Sequence, residues 1–179
     1  MISNSVAEHV RRIAMDLEGG REIIGMDIGS GQGYPAGALS NFAPHPFVFR
    51  GVSCNSMEGL LQSFKFSNPE MQKHVCTLVG RAAKFKGKSK NWYRDQVLYW
   101  DGRPIGRHSG EYQQLLDEAF ESLYLQNAKA REALLATRDA VLEHSMGKSK
   151  ESDTVLTKRE FCGRLTRIRE KLKAASKLP

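Results

Sequence analysis

One helix-length stretch, Asn55 to Phe66, does more than any other to decide what this chain can fold into. It reads Asn-Ser-Met-Glu-Gly-Leu-Leu-Gln-Ser-Phe-Lys-Phe. At 100° per residue, Glu58, Gln62 and Lys65 fall within about 60° of one another, at spacings i, i+4 and i+7. Met57, Leu60, Leu61 and Phe64 form an apolar stripe beside them. Gly59 and Ser63 make a third face, small enough for close packing. The helix therefore buries one flank and sets a carboxylate, an amide and an ammonium at its edge. Periodicity alone favours the plain alternative, an amphipathic helix whose polar stripe is solvated.

The elements around this stretch are set by local signals. Residues 5–18 read as a helix with a Ser5/Glu8 capping box, ended by Gly19-Gly20, and residues 22–28 as a short strand. The glycine loop Gly29-Ser30-Gly31-Gln32-Gly33 lacks the following helix that a nucleotide-binding strand–loop–helix turn requires, because Tyr34 to Pro44 carries Pro35, Gly37 and Pro44. It is expected to be a flexible loop whose glycines let backbone approach a ligand. Phe47-Val48-Phe49 and Gly51-Val52-Ser53 suggest a hairpin. Asn68-Pro69 caps a helix over about 69–79. The basic stretch 80–90 is read as a solvated loop or an anion-binding rim. Val97–Trp100 and Pro104-Ile105 form a second hairpin about Asp101-Gly102. Ser109 caps a helix over about 110–125, and Asn127 caps another over about 128–136. Residues 140–143 read as extended and 145–154 as a polar loop. Thr157 and Glu160 form a capping box that opens the last helix. The fold class is α+β, mainly helical, with a few short strands or hairpins.

The 179 residues suit one domain able to bury a sizeable core. The formal charge of +7 favours anionic partners such as phosphates, nucleotides or nucleic acid. No apolar run approaches a membrane span and no signal core is present, so a soluble, cytoplasmic protein without a membrane partner is expected. Cys54, Cys76 and Cys162 lack CxxC spacing and are expected to be buried free thiols. His9, His45, His74, His108 and His144 are scattered, with no HxxxH or HExxH pair, so no metal site is expected, and each is assigned a surface or core role. A buried Glu beside Gln and Lys is suited to general-base work or charge stabilisation, though structural ion pairs look the same in sequence.

Gly37-Ala38-Leu39-Ser40-Asn41-Phe42, Ser56-Met57-Glu58 with Gln62 and Lys65-Phe66, Gly80, and Leu134 to Asp139 with Leu142-Glu143 together resemble the NADAR (YbiA-like) family. Their order and spacing match over residues 37–173. The resemblance divides the chain into an N-terminal helix and extension (1–28), a NADAR-like domain (29–175) and a frayed tail (176–179). It implies an N-glycosidase acting at the anomeric carbon of a ribose. Some members remove ADP-ribose from modified guanine, and others cleave ribosylated intermediates of riboflavin synthesis. It further implies Glu58 as the catalytic carboxylate. Ser40, Asn41, Phe42, Gln62, Lys65, Gly80, Arg81, Asp139 and Glu143 are its implied substrate-binding residues, with no metal and no cofactor.

Three departures stand out. Met57 occupies a frequent serine position, and Arg138 a usual glycine. The WG-containing segment is also absent, so Trp92, Tyr99 or Trp100 is expected to supply an aromatic wall. The implied partners are ADP-ribose or a ribosylated nucleotide, including ADP-ribosylated DNA or RNA. Two rivals stay open: a module that binds ADP-ribose or NAD without hydrolysis, and a basic nucleic-acid-binding protein with an incidental polar stripe.

Overall fold

The computed structural model describes residues 10–15 and 22–177. Among them are six α-helices and seven short strands in three small sheets. Strand β1 (Val10–Met15) pairs antiparallel with β2 (Glu22–Asp27), and β2 pairs in parallel with β7 (Val141–Glu143). The register sets Gly25 opposite Val141 and Asp27 opposite Glu143. The helix expected over 5–18 is thus corrected: residues 10–15 are a strand, and the rest of that span lies outside the described residues. Apolar residues at helical spacing and the β-branched Val10 and Ile13 pull in opposite directions. Pairing with β2 outweighs a weak local preference.

The hairpin β3 (Phe47–Phe49) and β4 (Val52–Cys54) turns at Arg50 and Gly51, both at positive φ. It feeds α1 (Met57–Ser63), capped by Ser56, whose hydroxyl accepts from the Gly59 amide at 3.0 Å. Helix α2 (Pro69–Cys76) starts on the Asn68 cap with proline in its first turn, as expected. The basic stretch is not a loop. It forms α3 (Gly80–Lys88), because Ala, Lys and Arg are good helix formers and a narrow face of Ala83 and Gly87 is enough to bury it. The second hairpin, β5 (Val97–Trp100) and β6 (Arg103–Gly106), precedes α4 (Gly110–Gln126) and α5 (Ala128–Ala136). Helix α6 (Lys158–Ser176) opens on the reciprocal Thr157/Glu160 capping box. Cys54 and Cys76 are buried and Cys162 half-buried, all as free thiols.

The core is aromatic directly behind α1. Phe49 meets Trp100 edge-on at 4.9 Å, and Phe64 meets Trp100 at 6.0 Å and Tyr112 at 6.2 Å. Such edge contacts add to the area each ring buries. Below them the fully buried Arg107 pairs with both carboxylate oxygens of Glu160, at 3.1 and 2.8 Å. Its paired geometry offsets the desolvation of the two charges.

Candidate functional site

Helix α1 is short and its polar stripe is buried. Glu58 is 9% exposed and Gln62 6%, while Lys65, just past the helix, is half-buried. The apolar stripe Met57, Leu60, Leu61 and Phe64 is buried on the other flank. The small face is used as well. A Cβ on Gly59 would lie 2.5 Å from the Leu78 carbonyl oxygen, so α1 runs against the chain after α2 at backbone distance.

Glu58 sits in the first turn of α1, where its own amide donates to the Asn41 carbonyl at 2.9 Å. The Phe42 amide donates to Ser40 Oγ at 3.2 Å, which folds this loop over the helix start. Ser40, Asn41 and Phe42 therefore cover the carboxylate's end of α1. One turn on, Gln62 Nε2 donates to Glu58 Oε1 at 2.8 Å. Gln62 Oε1 is buried with no hydrogen-bond partner. The amide lies flush against α3, where a Cβ on Gly87 would stand 1.8 Å from Oε1. Gly87 is thus the space that lets Gln62 reach Glu58.

Burial raises the Glu58 pKa above the ordinary glutamate value. The Gln62 hydrogen bond and the charges of Lys84, Lys65 and His144 act in the opposite direction without cancelling it. Lys65 is pushed down to about 8, chiefly by burial, with Lys148 and Lys84 adding repulsion and Glu58 opposing it. Lys84 stands over the Phe42 ring at 5.7 Å. Gly80, at φ 57°, starts α3 next to that ring, and Arg81 is exposed on the following turn.

The loop after β7 completes the surroundings. His144 Nδ1 lies 2.7 Å from the Ile28 carbonyl oxygen and, because a carbonyl only accepts, donates to it. Glu143 is half-buried, and its carbonyl accepts from the Ile28 amide at 2.8 Å. Two clefts involve residues of this region. One, of about 600 Å³, is lined by Phe66, Lys86 and Lys90 among others, and a second, of about 420 Å³, by Trp92, Tyr93 and Lys148. Glu58 lines neither and is buried.

The structure brings together Glu58, Gln62, Lys65, Asn41, Phe42 and Gly80. Arg81 and Trp92 stand at the edges. Trp100 belongs to the aromatic core, not to a pocket wall. Tyr99 spends its backbone on Phe64 and Gln72. Asp139 follows the end of α5 and pairs with Lys173 of α6 at 2.8 Å, apart from this cluster. Sequence reasoning missed Gly87, His144 and Lys148. A small residue four after Ala83 was the available signal for Gly87, once that stretch is taken as helix. No spacing connects His144 or Lys148 to α1. Among the described residues no group of three His, Cys, Asp or Glu side chains is gathered to hold a metal, and no helix is long and apolar enough to cross a membrane.

This small α+β domain, six helices with a few short strands, has a YbiA-like fold. The fold is that of the E. coli protein YbiA, whose NMR structure matches with a TM-score of 0.54 over 79% of this chain and 80% of that chain, at 23% sequence identity. The chain belongs to the bacteriophage protein GP30.3 family, whose model matches residues 33–170. An uncharacterized 17.1 kDa protein from the Gp30–rIII intergenic region of Enterobacteria phage T4 is 37% identical over 149 residues, 82% of this chain and 98% of that one.

Proposed function

We propose that this protein hydrolyses an N-glycosidic bond at C1′ of an ADP-ribosyl or related phosphoribosyl adduct, with ADP-ribosylated guanine in nucleic acid as its target. The observation that carries this reading is Glu58: a buried carboxylate of raised pKa, oriented by Gln62 and set among cations. Cleavage breaks the C1′–N bond and leaves its electron pair on the base. Positive charge develops on the ribose, and an ionised carboxylate stabilises it. Glu58 then takes a proton from water, whose oxygen bonds to C1′, and the departing base gains a proton. Burial tunes a general base toward neutral pH, a step commonly worth about 10²- to 10⁴-fold.

The cations have a separate task. Lys65 and Lys84 would repel the oxocarbenium if left bare, so they suit phosphates of the substrate, whose charge they offset. Phe42, whose ring lies 5.7 Å from Lys84 Nζ, would pack on the nucleotide.

The test compares wild type with Glu58→Gln on DNA carrying ADP-ribosylated guanosine, measuring released ADP-ribose. Wild type is expected to release it and the variant to lose at least about 100-fold. Equal release by the two would remove Glu58 as the catalyst. No release by wild type would remove the substrate. ADP-ribose binding without turnover of any ribosylated substrate would make the protein a sensing module.

A further inference from the structure

Helix α3 presents to solvent a stripe of which the glycosidase reading uses only its inner edge, Lys84. Arg81, Lys84, Phe85 and Lys88 occupy positions i, i+3, i+4 and i+7, and all four are exposed. Phe85 is 67% exposed, and Lys88 Nζ lies 5.8 Å from its ring centroid. The opposite side, Ala83 and Gly87, is buried against the core. No acidic residue occurs anywhere in Gly80–Lys88. An aromatic ring of this size left in water, framed by cations on one helix face, is a costly arrangement for a solvated surface.

We infer that this face of α3 is a docking surface for single-stranded nucleic acid, with a base stacked on Phe85 and the phosphates tracked by Arg81, Lys84 and Lys88. The dimensions agree. Seven residues of helix span about 10 Å, which is about three steps of a stacked strand at 3.4 Å per phosphate. Stacking on an isolated aromatic flanked by basic residues is the usual way a single strand is held without reading its sequence. A lipid surface suits the stripe less well. In-plane membrane helices sink a broad apolar face, whereas the outward face of α3 offers one large apolar side chain and its remaining apolar side is already buried. The same helix reaches the Glu58 site: the Lys84 charge acts on Glu58, and Gly87 faces Gln62. A strand on the outward face of α3 is thus one helix away from the carboxylate, with Lys84 at the border between them. The presentation of its modified base to Glu58 rests on the glycosidase reading, while the docking surface does not.

The experiment is fluorescence anisotropy with a fluorescein-labelled, unmodified mixed-sequence DNA dodecamer at several salt concentrations. Wild type is expected to bind with log K falling linearly in log salt. Lys88→Gln should reduce the slope by about 0.7, one phosphate contact on a single strand. Phe85→Ala should weaken binding about 5- to 100-fold at fixed salt and leave the slope alone. Both side chains are exposed, so both variants should keep the wild-type melting temperature. Variants that bind like wild type overturn the proposal, as does capture by phosphatidylserine vesicles with no response to the dodecamer. The same variants, assayed on ADP-ribosylated guanosine as free nucleoside and in an oligonucleotide, should lose rate only on the oligonucleotide. Turnover of neither substrate with salt-dependent binding intact would sink the glycosidase reading and leave the surface standing.

Discussion

Gln62 donates a 2.8 Å hydrogen bond to Glu58 from one turn further along the same helix, and this bond favours the ionised carboxylate against the burial that opposes ionisation. Gln62→Leu keeps the bulk and removes the donor. The Glu58 pKa is then expected to rise further, moving the acidic limb of the pH–rate profile upward. Activity at neutral pH should fall about 10- to 100-fold, the usual weight of a hydrogen bond to a charged group. An unmoved acidic limb would show that Gln62 does not tune Glu58.

Lys65 titrates at about 8 because burial disfavours its charge. Its phosphate-holding form is lost above that pH. The wild-type kcat/KM should therefore decline by about tenfold per pH unit beyond pH 8. Lys65→Arg keeps the charge throughout and should abolish that decline, whatever it does to the absolute rate. A basic limb that survives in the arginine variant assigns it to another group.

Glu58 has a raised pKa in the folded protein. Folding therefore takes up a proton between the unfolded and folded pKa values. Stability falls as pH rises through that window and stays level above it. Glu58→Gln removes the charge while leaving Gln62 an acceptor. It should melt higher than wild type at pH 7 to 8, at about 2–4 °C per kcal/mol for a domain of this size. The advantage should shrink toward zero as pH falls below about 4.3, where glutamate is protonated in both states. Scanning calorimetry across pH would show it, and a variant less stable at every pH would refute it.

Gly87→Ala puts a methyl group where the Gln62 amide now lies. The amide must move, and the Glu58 hydrogen bond goes with it. The expected outcome is a loss of about 1–3 kcal/mol in urea denaturation, together with a shift of the acidic limb in the same direction as in Gln62→Leu. A stability loss with an unchanged pH profile would separate packing from tuning.

Much of this architecture is legible in the sequence where the signals are local. Asn68 with Pro69, Ser109, Asn127, and Thr157 with Glu160 each satisfy free amides within a few residues, and each helix begins where those residues stand. The aromatic and aliphatic stripe of α1 is equally plain. The rest depends on partners distant in sequence. Helix α3 buries only small residues, so hydrophobic periodicity does not register it. Residues 10–15 are extended because β2 is available to pair with them. The site divides in the same way. Glu58 and Gln62 share one helix, Lys65 follows it at once, and the three are visible as a stripe, but the resemblance to known proteins, not periodicity, made that stripe a candidate site. Gly87 and His144 enter only through tertiary contact.

The parallel pairing of β2 with β7 carries a consequence for how the site comes into being. The hydrogen bond from His144 to Ile28 joins residues 116 apart. Closing a loop of that length costs chain entropy that no nearby contact repays, and parallel pairing of this kind tends to form slowly. Glu58 and Gln62 lie one turn apart and need only their own helix and Gly87 of the nearby α3 to meet. A chain emerging from synthesis would thus carry its carboxylate–amide pair well before His144 is docked on Ile28. The order of assembly makes the closing of the β2–β7 ladder the event that turns a folded helix into a finished site.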